Sequence, residues 1–331
     1  MNNNADWKDK VILLTGGTGS FGQKFVQIML DKYKPKVIRI LSRDELKQWD
    51  MIQKFDNHPS LRFFLGDIRD YKRLRRAAEG ADIIVHAAAL KQVPLCEYNP
   101  FEAVRTNILG AENIINAAID CNIEKVIAIS TDKAVAPVNL YGATKMCMEK
   151  LIVAANTYVG SGRDTKMSCV RYGNVFGSRG SVVELFKKQK AGGKITVTDK
   201  EMTRFWITID RGAEFVVNCT QVMRGGEIFI PKIPSMKVVD LAGAITPECR
   251  IEIIGIRPGE KIHECLLTED EARHGKDAGD YFIIEPQNPL WDYKSWSEDK
   301  DLPKGFKYTS DSNDTWLSVK ELKDMFETHE R

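Results

Sequence analysis

The 331-residue sequence contains no run of about 18 apolar residues, the length a helix needs to cross a bilayer. No membrane segment is therefore expected. Cysteine is sparse and unpatterned. Cys96, Cys121, Cys147, Cys169, Cys219, Cys249 and Cys265 are odd in number and never in C-x-x-C spacing. This excludes a disulfide frame and a cysteine zinc site, and points to reduced thiols. The histidines form no pair at ligand spacing, so no metal is expected. Excess charge of one sign is also missing. A formal net charge of +2, with no basic-aromatic cluster, gives no reason to expect a nucleic acid or an anionic membrane as partner. The most basic stretch, YKRLRRAAEG at Tyr71–Gly80, is spaced as the solvated face of a helix. The first residues, MNNNADWKDK, lack an apolar core, so no signal peptide is expected and the protein is expected in the cytoplasm. No internal repeat is visible.

Short apolar runs alternate with helical patterns instead. Strands are expected at 11–14, 37–41, in LRFFL, in ADIIVH, in EKVIAIS and along KMSCVRYGNV. Helices are expected from about Phe21 to Leu30, over YKRLRRAAEG, as one long helix over NPFEAVRTNILGAENIINAAIDCN, and from near Tyr141. Strand–helix alternation at this spacing predicts an α/β fold of Rossmann type: a doubly wound parallel sheet that binds ligands beyond the carboxyl ends of its strands. After about Gly177 the pattern loosens. The expected division is a dinucleotide-binding domain over 1–176 and a smaller mixed α/β substrate lobe over 177–331, with some later segments returning to the first. The tail after Glu285 should be largely irregular until a last helix near Ser318–Thr328.

TGGTGSFG carries Gly16, Gly19 and Gly22 at three-residue spacing, after an expected strand and at the start of an expected helix. In that context the glycines allow a tight turn and close approach to a pyrophosphate, and the helix N-terminus offers free N–H groups. The second strand ends Ser42-Arg43-Asp44. An acid there would suit the ribose hydroxyl of NAD, whereas Arg43 can fork onto the 2′-phosphate of NADP. The order of these residues favours NADP. Asp67, after the third strand, is placed either to meet the adenine amino group or to cap a helix.

Tyr141 and Lys145 stand four apart, on one face of a helix. A phenol titrates near ~10, and a neighbouring ammonium would favour its phenolate as a base. Together with the glycine loop, the HAAA strand end at His86–Ala89 and Ser130 or Thr131, this pair resembles the extended short-chain dehydrogenase/reductase family. RYGNV at Arg171–Val175 and RPGEK at Arg257–Lys261 are similar to its nucleotide-sugar branch. The resemblance implies that Thr18, Ser20, Phe21, Lys47, Ile68, Ala87, Ala88, Ala89 and Lys91 accompany the residues above in holding the dinucleotide. It implies that Lys91, Thr131, Asn174, Arg204, Arg257 and Glu260 meet a sugar nucleotide. It implies catalysis by Thr131, Tyr141 and Lys145, and a homo-oligomer.

Thr131-Asp132-Lys133 departs from the Thr-Asp-Glu of the family's retaining 4,6-dehydratases. With LKQVP at Leu90–Pro94 it resembles the configuration-inverting UDP-N-acetylglucosamine 4,6-dehydratases of pseudaminic acid biosynthesis. That likeness implies Asp132 as the acid at C6 and Lys133 as the acid/base at C5, with NADP regenerated each turn. A Lys base calls for a lowered pKa, which Lys145 or Lys91 nearby would provide and which a facing Asp132 would oppose. Which group returns the proton to C5 is open. The other readings are a UDP-hexose 4-epimerase, a retaining dehydratase, or a non-catalytic NADP-binding regulatory protein on the same fold.

Overall fold

The computed structural model describes residues 7–160, 162–177 and 182–330. The polar residues 1–6 of the N-terminal stretch lie outside them.

Seven parallel strands form the body of a ten-stranded sheet. They are β1 (Val11–Thr15), β2 (Val37–Ser42), β3 (Leu61–Leu65), β4 (Ile83–His86), β5 (Lys125–Ile129), β6 (Lys166–Val170) and, after three strands of the second lobe, β10 (Ile228–Pro231). Their order is β3-β2-β1-β4-β5-β6-β10. The chain reverses direction of winding between β1 and β4, which opens the crevice where such sheets bind ligands. Helices cover both faces, so strand interiors are apolar throughout: Ile12, Leu13, Leu14, Ile84, Val85, Val126, Ile127 and Ala128 are fully buried.

The second lobe has its own core, around Phe176, Phe186, Ile195, Trp206, Met236 and Leu241. It is built on β7 (Asn174–Phe176), β8 (Lys194–Val197), β9 (Thr203–Thr208), β11 (Ser235–Lys237) and β12 (Arg250–Ile253). The chain after 177 is not all in this lobe. The helix Ile209–Val222 packs into the main core, and β10 joins the main sheet. So do three antiparallel additions: β14 (Gly275–Asp277), β15 (Tyr281–Ile284) and β16 (Lys300–Asp301). β13 (Cys265–Leu267) pairs with β17 (Tyr308–Thr309), which gives the tail after Glu285 more order than its composition suggests. The last helix runs Val319–Glu330.

Two elements differ from expectation in ways that matter for the site. KMSCVRYGNV is not one strand: β6 ends at Val170 and β7 begins at Asn174, in different sheets. Arg171 is buried against Glu149 and Glu271, and a side chain at Gly173 would come within 2.6 Å of Phe205, so the link turns the chain from one lobe into the other. The long helix after Asn99 is also broken. It starts at Pro100, loosens into a π-turn at Arg105–Leu109 and resumes at Gly110. Such bulges are frequent at functional sites. The basic helix Tyr71–Ala78 does present its charges outward, burying only Leu74, Ala77 and Ala78. All seven cysteines are free thiols. Among the described residues no cluster could hold a metal, and no helix is long and apolar enough to cross a membrane.

Candidate active site

A cleft of about 610 Å³ lies over the carboxyl ends of β1, β2, β4 and β5 and reaches β7 and β9. At one end is the glycine turn. Gly16 has φ +67°, and a Cβ there would sit 2.8 Å from the backbone of Ala88. A Cβ at Gly22 would run into the backbone of Gly17, so this glycine packs the helix onto the turn and does not line the cleft. The helix Ser20–Ile28 begins at Gly19 with no side-chain cap, which leaves its N–H groups available to a phosphate. Thr18, Gly19, Ser20 and Phe21 all line the cleft, as do Ala87, Ala88 and Ala89.

The adenosine end is set by Ser42, Arg43, Asp44, Lys47, Asp67 and Ile68, all at the cleft wall. Asp44 caps the helix Glu45–Lys54 by accepting from the Lys47 N–H at 3.0 Å, and its carboxylate pairs with Lys47 Nζ at 2.9 Å. Asp67 is gripped by Arg69, whose Nε donates at 2.9 Å, and faces Arg43 at 3.5 Å. The cap of the next helix is Asp70. The residues fit an anionic dinucleotide: two cations, Arg43 and Lys47, line this end of the cleft.

The other end holds the chemistry-bearing side chains. The helix Leu140–Ala154 is capped by Asn139, whose Oδ1 accepts from the Gly142 N–H at 2.8 Å. A Cβ at Gly142 would run into the carbonyl of Lys133, so only glycine after Tyr141 lets this helix sit on the 3₁₀ turn Asp132–Ala134. That contact brings Thr131, Asp132, Lys133 and Tyr141 together at one wall. Tyr141 and Thr131 both face the cleft here. Burial pushes the Tyr141 phenol up to about 12, and the ammonium that opposes this is that of Lys133. Lys145 was expected in that role. Its Nζ instead donates to the Ile129 carbonyl at 2.5 Å, behind the cleft wall, and burial pushes it down to about 8. Asn107, in the π-turn, exchanges two hydrogen bonds with Leu90 and donates to Thr144 Oγ1, tying the loop before Lys91 to the Tyr141 helix. Lys91 is exposed at the cleft rim.

Asp132 is fully buried. Its Oδ1 accepts from Thr131 Oγ1 at 2.9 Å and from Lys133 Nζ at 3.1 Å, while Oδ2 has no hydrogen-bond partner among the described residues. Lys133 keeps a quarter of its side chain exposed. Its Nζ also lies 3.3 Å from Glu264 Oε1. Burial pulls this amine down, but Asp132 and Glu264 outweigh burial and Arg204 together and hold it above the usual lysine range. The lowered pKa expected for Lys133 is thus not found in this state: its nearest charges are carboxylates, not Lys145 or Lys91.

The expected substrate residues divide. Asn174 lines the cleft. Arg204 does not line the cleft: it is buried, with its guanidinium donating to the carbonyls of Thr203, Lys261 and Ile262. Arg257 and Glu260 do not line the cleft and face each other at 4.0 Å on a loop tethered to Asn139 through the Gly259 carbonyl. Sequence reasoning missed Tyr172, Trp206 and Asn107, which line or brace the site, and Glu264. Tyr172 and Asn107 lie in stretches read as regular strand and helix. Glu264 is four residues past Glu260, and only the fold brings it to Lys133.

The model of the family described as polysaccharide biosynthesis protein matches residues 12–286. The UDP-N-acetylglucosamine 4,6-dehydratase (inverting) of Campylobacter jejuni strain 81-176 is 48% identical over 325 residues, covering 96% of this chain and 97% of the relative. The UDP-glucose 4-epimerase of Rickettsia canadensis is 40% identical over 330 residues, covering 97% and 96%. Among solved structures, Pen from Bacillus thuringiensis superposes with a TM-score of 0.90 at 39% identity, covering 98% and 99% of the two chains. DesIV, a dTDP-glucose 4,6-dehydratase from Streptomyces venezuelae with NAD and TYD bound, superposes with a TM-score of 0.67 at 23% identity over 76% and 86%, a likeness of fold. The chain belongs to the polysaccharide biosynthesis protein family.

Proposed function

We propose that this chain is a lyase, a UDP-N-acetylglucosamine 4,6-dehydratase that inverts C5, with NADP as its resident cofactor. The observation that carries this reading is the Asp132–Lys133 pair at 3.1 Å, set at the cleft wall beside Tyr141. A 4-epimerase moves only a proton and a hydride at C4 and has no use for a second acid/base pair. The relatives named inverting dehydratases support the same substrate. Arg43 and Lys47 at the ribose end support NADP over NAD.

When bound, the nicotinamide supplies hydride transfer from C4 and back to C6. The residues of the chain supply the proton chemistry. Tyr141, acting as the phenolate that the Lys133 ammonium favours, takes the proton of the C4 hydroxyl. The ketone formed at C4 acidifies the C5 hydrogen, because the resulting carbanion is an enolate. Lys133 and Asp132 then work as one neutral pair. The ammonium passes a proton to the carboxylate, the free amine takes the C5 hydrogen, and Asp132 hands its proton to the departing C6 hydroxyl. Water leaves, and the pair is again ammonium and carboxylate. The buried, unpartnered Oδ2 of Asp132 is a place for that proton. The proton that Tyr141 took from the C4 hydroxyl balances the one returned to C5; its return to the opposite face inverts C5 and gives UDP-2-acetamido-2,6-dideoxy-β-L-arabino-hex-4-ulose.

The test is purified protein with UDP-N-acetylglucosamine in D₂O, followed by proton NMR with and without added NADP. A new C6 methyl signal with deuterated, inverted C5 is expected. A 4-epimer with its C5 hydrogen retained would establish the epimerase reading instead, and no turnover under either condition would leave a dinucleotide-binding protein. Lys133→Ala should abolish water loss while C4 oxidation persists, seen as trapped NADPH absorbance.

A further inference from the structure

Glu264 lies outside every motif discussed above, yet it meets the most reactive side chain of the cleft. It is 3% exposed, just before β13, and its backbone is fixed on both sides by Ser310: the Glu264 N–H donates to Ser310 Oγ at 2.9 Å, and the Ser310 N–H donates to the Glu264 carbonyl at 2.8 Å. Its Oε1 is 3.3 Å from Lys133 Nζ, and its Oε2 is buried without a hydrogen-bond partner. The charged and titratable groups around this contact can be named element by element. Asp132 comes from the 3₁₀ turn. Arg204 comes from β9, with Nε 3.8 Å from Oε1, and Lys261 comes from the preceding loop, with Nζ 3.9 Å from Oε2. Tyr141 faces Lys133 from the helix Leu140–Ala154, and His263 is turned away onto Thr203 Oγ1. A buried carboxylate with one unspent oxygen is costly unless a cation uses it. Lys261 is the cation nearest that oxygen, whereas Lys133, which opens onto the cleft, is the cation nearest the carboxylate as a whole, through Oε1.

We propose that Glu264 is a positioning residue of the elimination: it is the second jaw of a carboxylate clamp on Lys133, and the counter-ion that remains when Asp132 carries the proton for the leaving group. This role rests on the dehydratase reading; the clamp itself does not. The physical reason is charge development. As the amine takes the C5 hydrogen it becomes a cation, three-quarters buried at the cleft wall. At that moment Asp132 is neutral, so a fixed anion at 3.3 Å must stabilise the ammonium alone. Removing that anion makes Lys133 a weaker base without disturbing where the sugar nucleotide binds.

The test compares Glu264→Gln, which keeps shape and loses charge, with Glu264→Asp, which restores charge at a shorter reach. Two readouts are taken on the whole protein. The first is the rate of reductive methylation of Lys133 against pH, followed by peptide mass spectrometry without substrate. The second is the pH profile of C6 methyl formation. In Glu264→Gln the labelling midpoint should fall by about one pH unit or more, a roughly tenfold gain in the neutral amine at fixed pH. The alkaline limb of the dehydration profile, where the pair loses the proton it needs for the leaving group, should move to lower pH, with a lower plateau kcat and an unchanged KM. Glu264→Asp should fall between the two. An unmoved labelling midpoint overturns the clamp. A midpoint that falls while the dehydration profile keeps its position and height overturns the catalytic part. Absence of dehydration in the unsubstituted protein, with the labelling shift intact, sinks the dehydratase reading and leaves the clamp standing.

Discussion

Arg171→Ala should cost this protein about 3–5 kcal/mol of folding stability, the range for breaking a buried ion pair from one side. Arg171 is 2% exposed and uses every face of its guanidinium. Nε and Nη2 hold Glu149 at 3.0 and 2.6 Å, Nη1 donates to the Leu266 carbonyl at 2.9 Å, and Nη2 reaches Glu271 Oε1 at 2.9 Å. Burial alone would make the guanidinium easier to deprotonate, but Glu149 and Glu271 more than offset it. Removing Arg171 strands the Glu149 carboxylate, 1% exposed, inside the core. Glu271 suffers less, being a quarter exposed and held in a capping box with Thr268. The loss would be read by urea denaturation as a fall in the midpoint at unchanged slope. The companion variant Arg171→Met with Glu149→Met removes the fully buried pair and should recover most of the loss, since the carboxylate it leaves behind, Glu271, is a quarter exposed and still held by Thr268. A loss below about 1 kcal/mol for Arg171→Ala, or a double variant no better than the single one, would refute the argument that an unpaired buried charge sets the cost. The triad joins the Tyr141 helix, the link between β6 and β7, and the segment that carries Glu264, so kcat should fall along with stability.

Two further outcomes follow from the geometry of the cleft. Arg43→Ala with Lys47→Ala removes both cations at the ribose end and should weaken NADP binding by tenfold or more while leaving NAD nearly unaffected, as measured by isothermal titration with each dinucleotide; equal weakening of both would place the 2′-phosphate elsewhere. Gly142→Ala drives a methyl group into the Lys133 carbonyl and should displace the turn at Asp132–Ala134, with a loss of water elimination larger than the loss of thermal stability; full activity in this variant would show that the helix and turn can separate without cost.

Much of the architecture was legible because it depends on local pattern. A parallel sheet buried on both faces requires continuous apolar strands, and Val11–Leu14, Ile83–Val85 and Val126–Ala128 have no other use. Glycines at three-residue spacing after a strand, and Tyr and Lys four apart on a helix, are likewise patterns written in consecutive residues. The misreadings share a cause. Arg171–Gly173 reads as strand among its apolar neighbours, whereas a buried charge and a glycine pressed on Phe205 turn the chain there. The π-turn at Arg105–Leu109 carries the same residue types as a regular helix.

By itself the sequence determined the dinucleotide fold, the position of the phosphate turn and the presence of an acid and an amine ahead of the Tyr141 helix. Only the tertiary structure decided what that amine faces. Charge is felt through space: Lys133 has one carboxylate from its chain neighbour and another from a residue 131 positions later, brought within 3.3 Å by β13 and its pairing with β17. Lys145, the cation that spacing nominated to act on Tyr141, is turned to the Ile129 carbonyl instead. A one-dimensional reading sees which groups can ionise; their separation and burial, which set the energy of doing so, exist only in the folded chain.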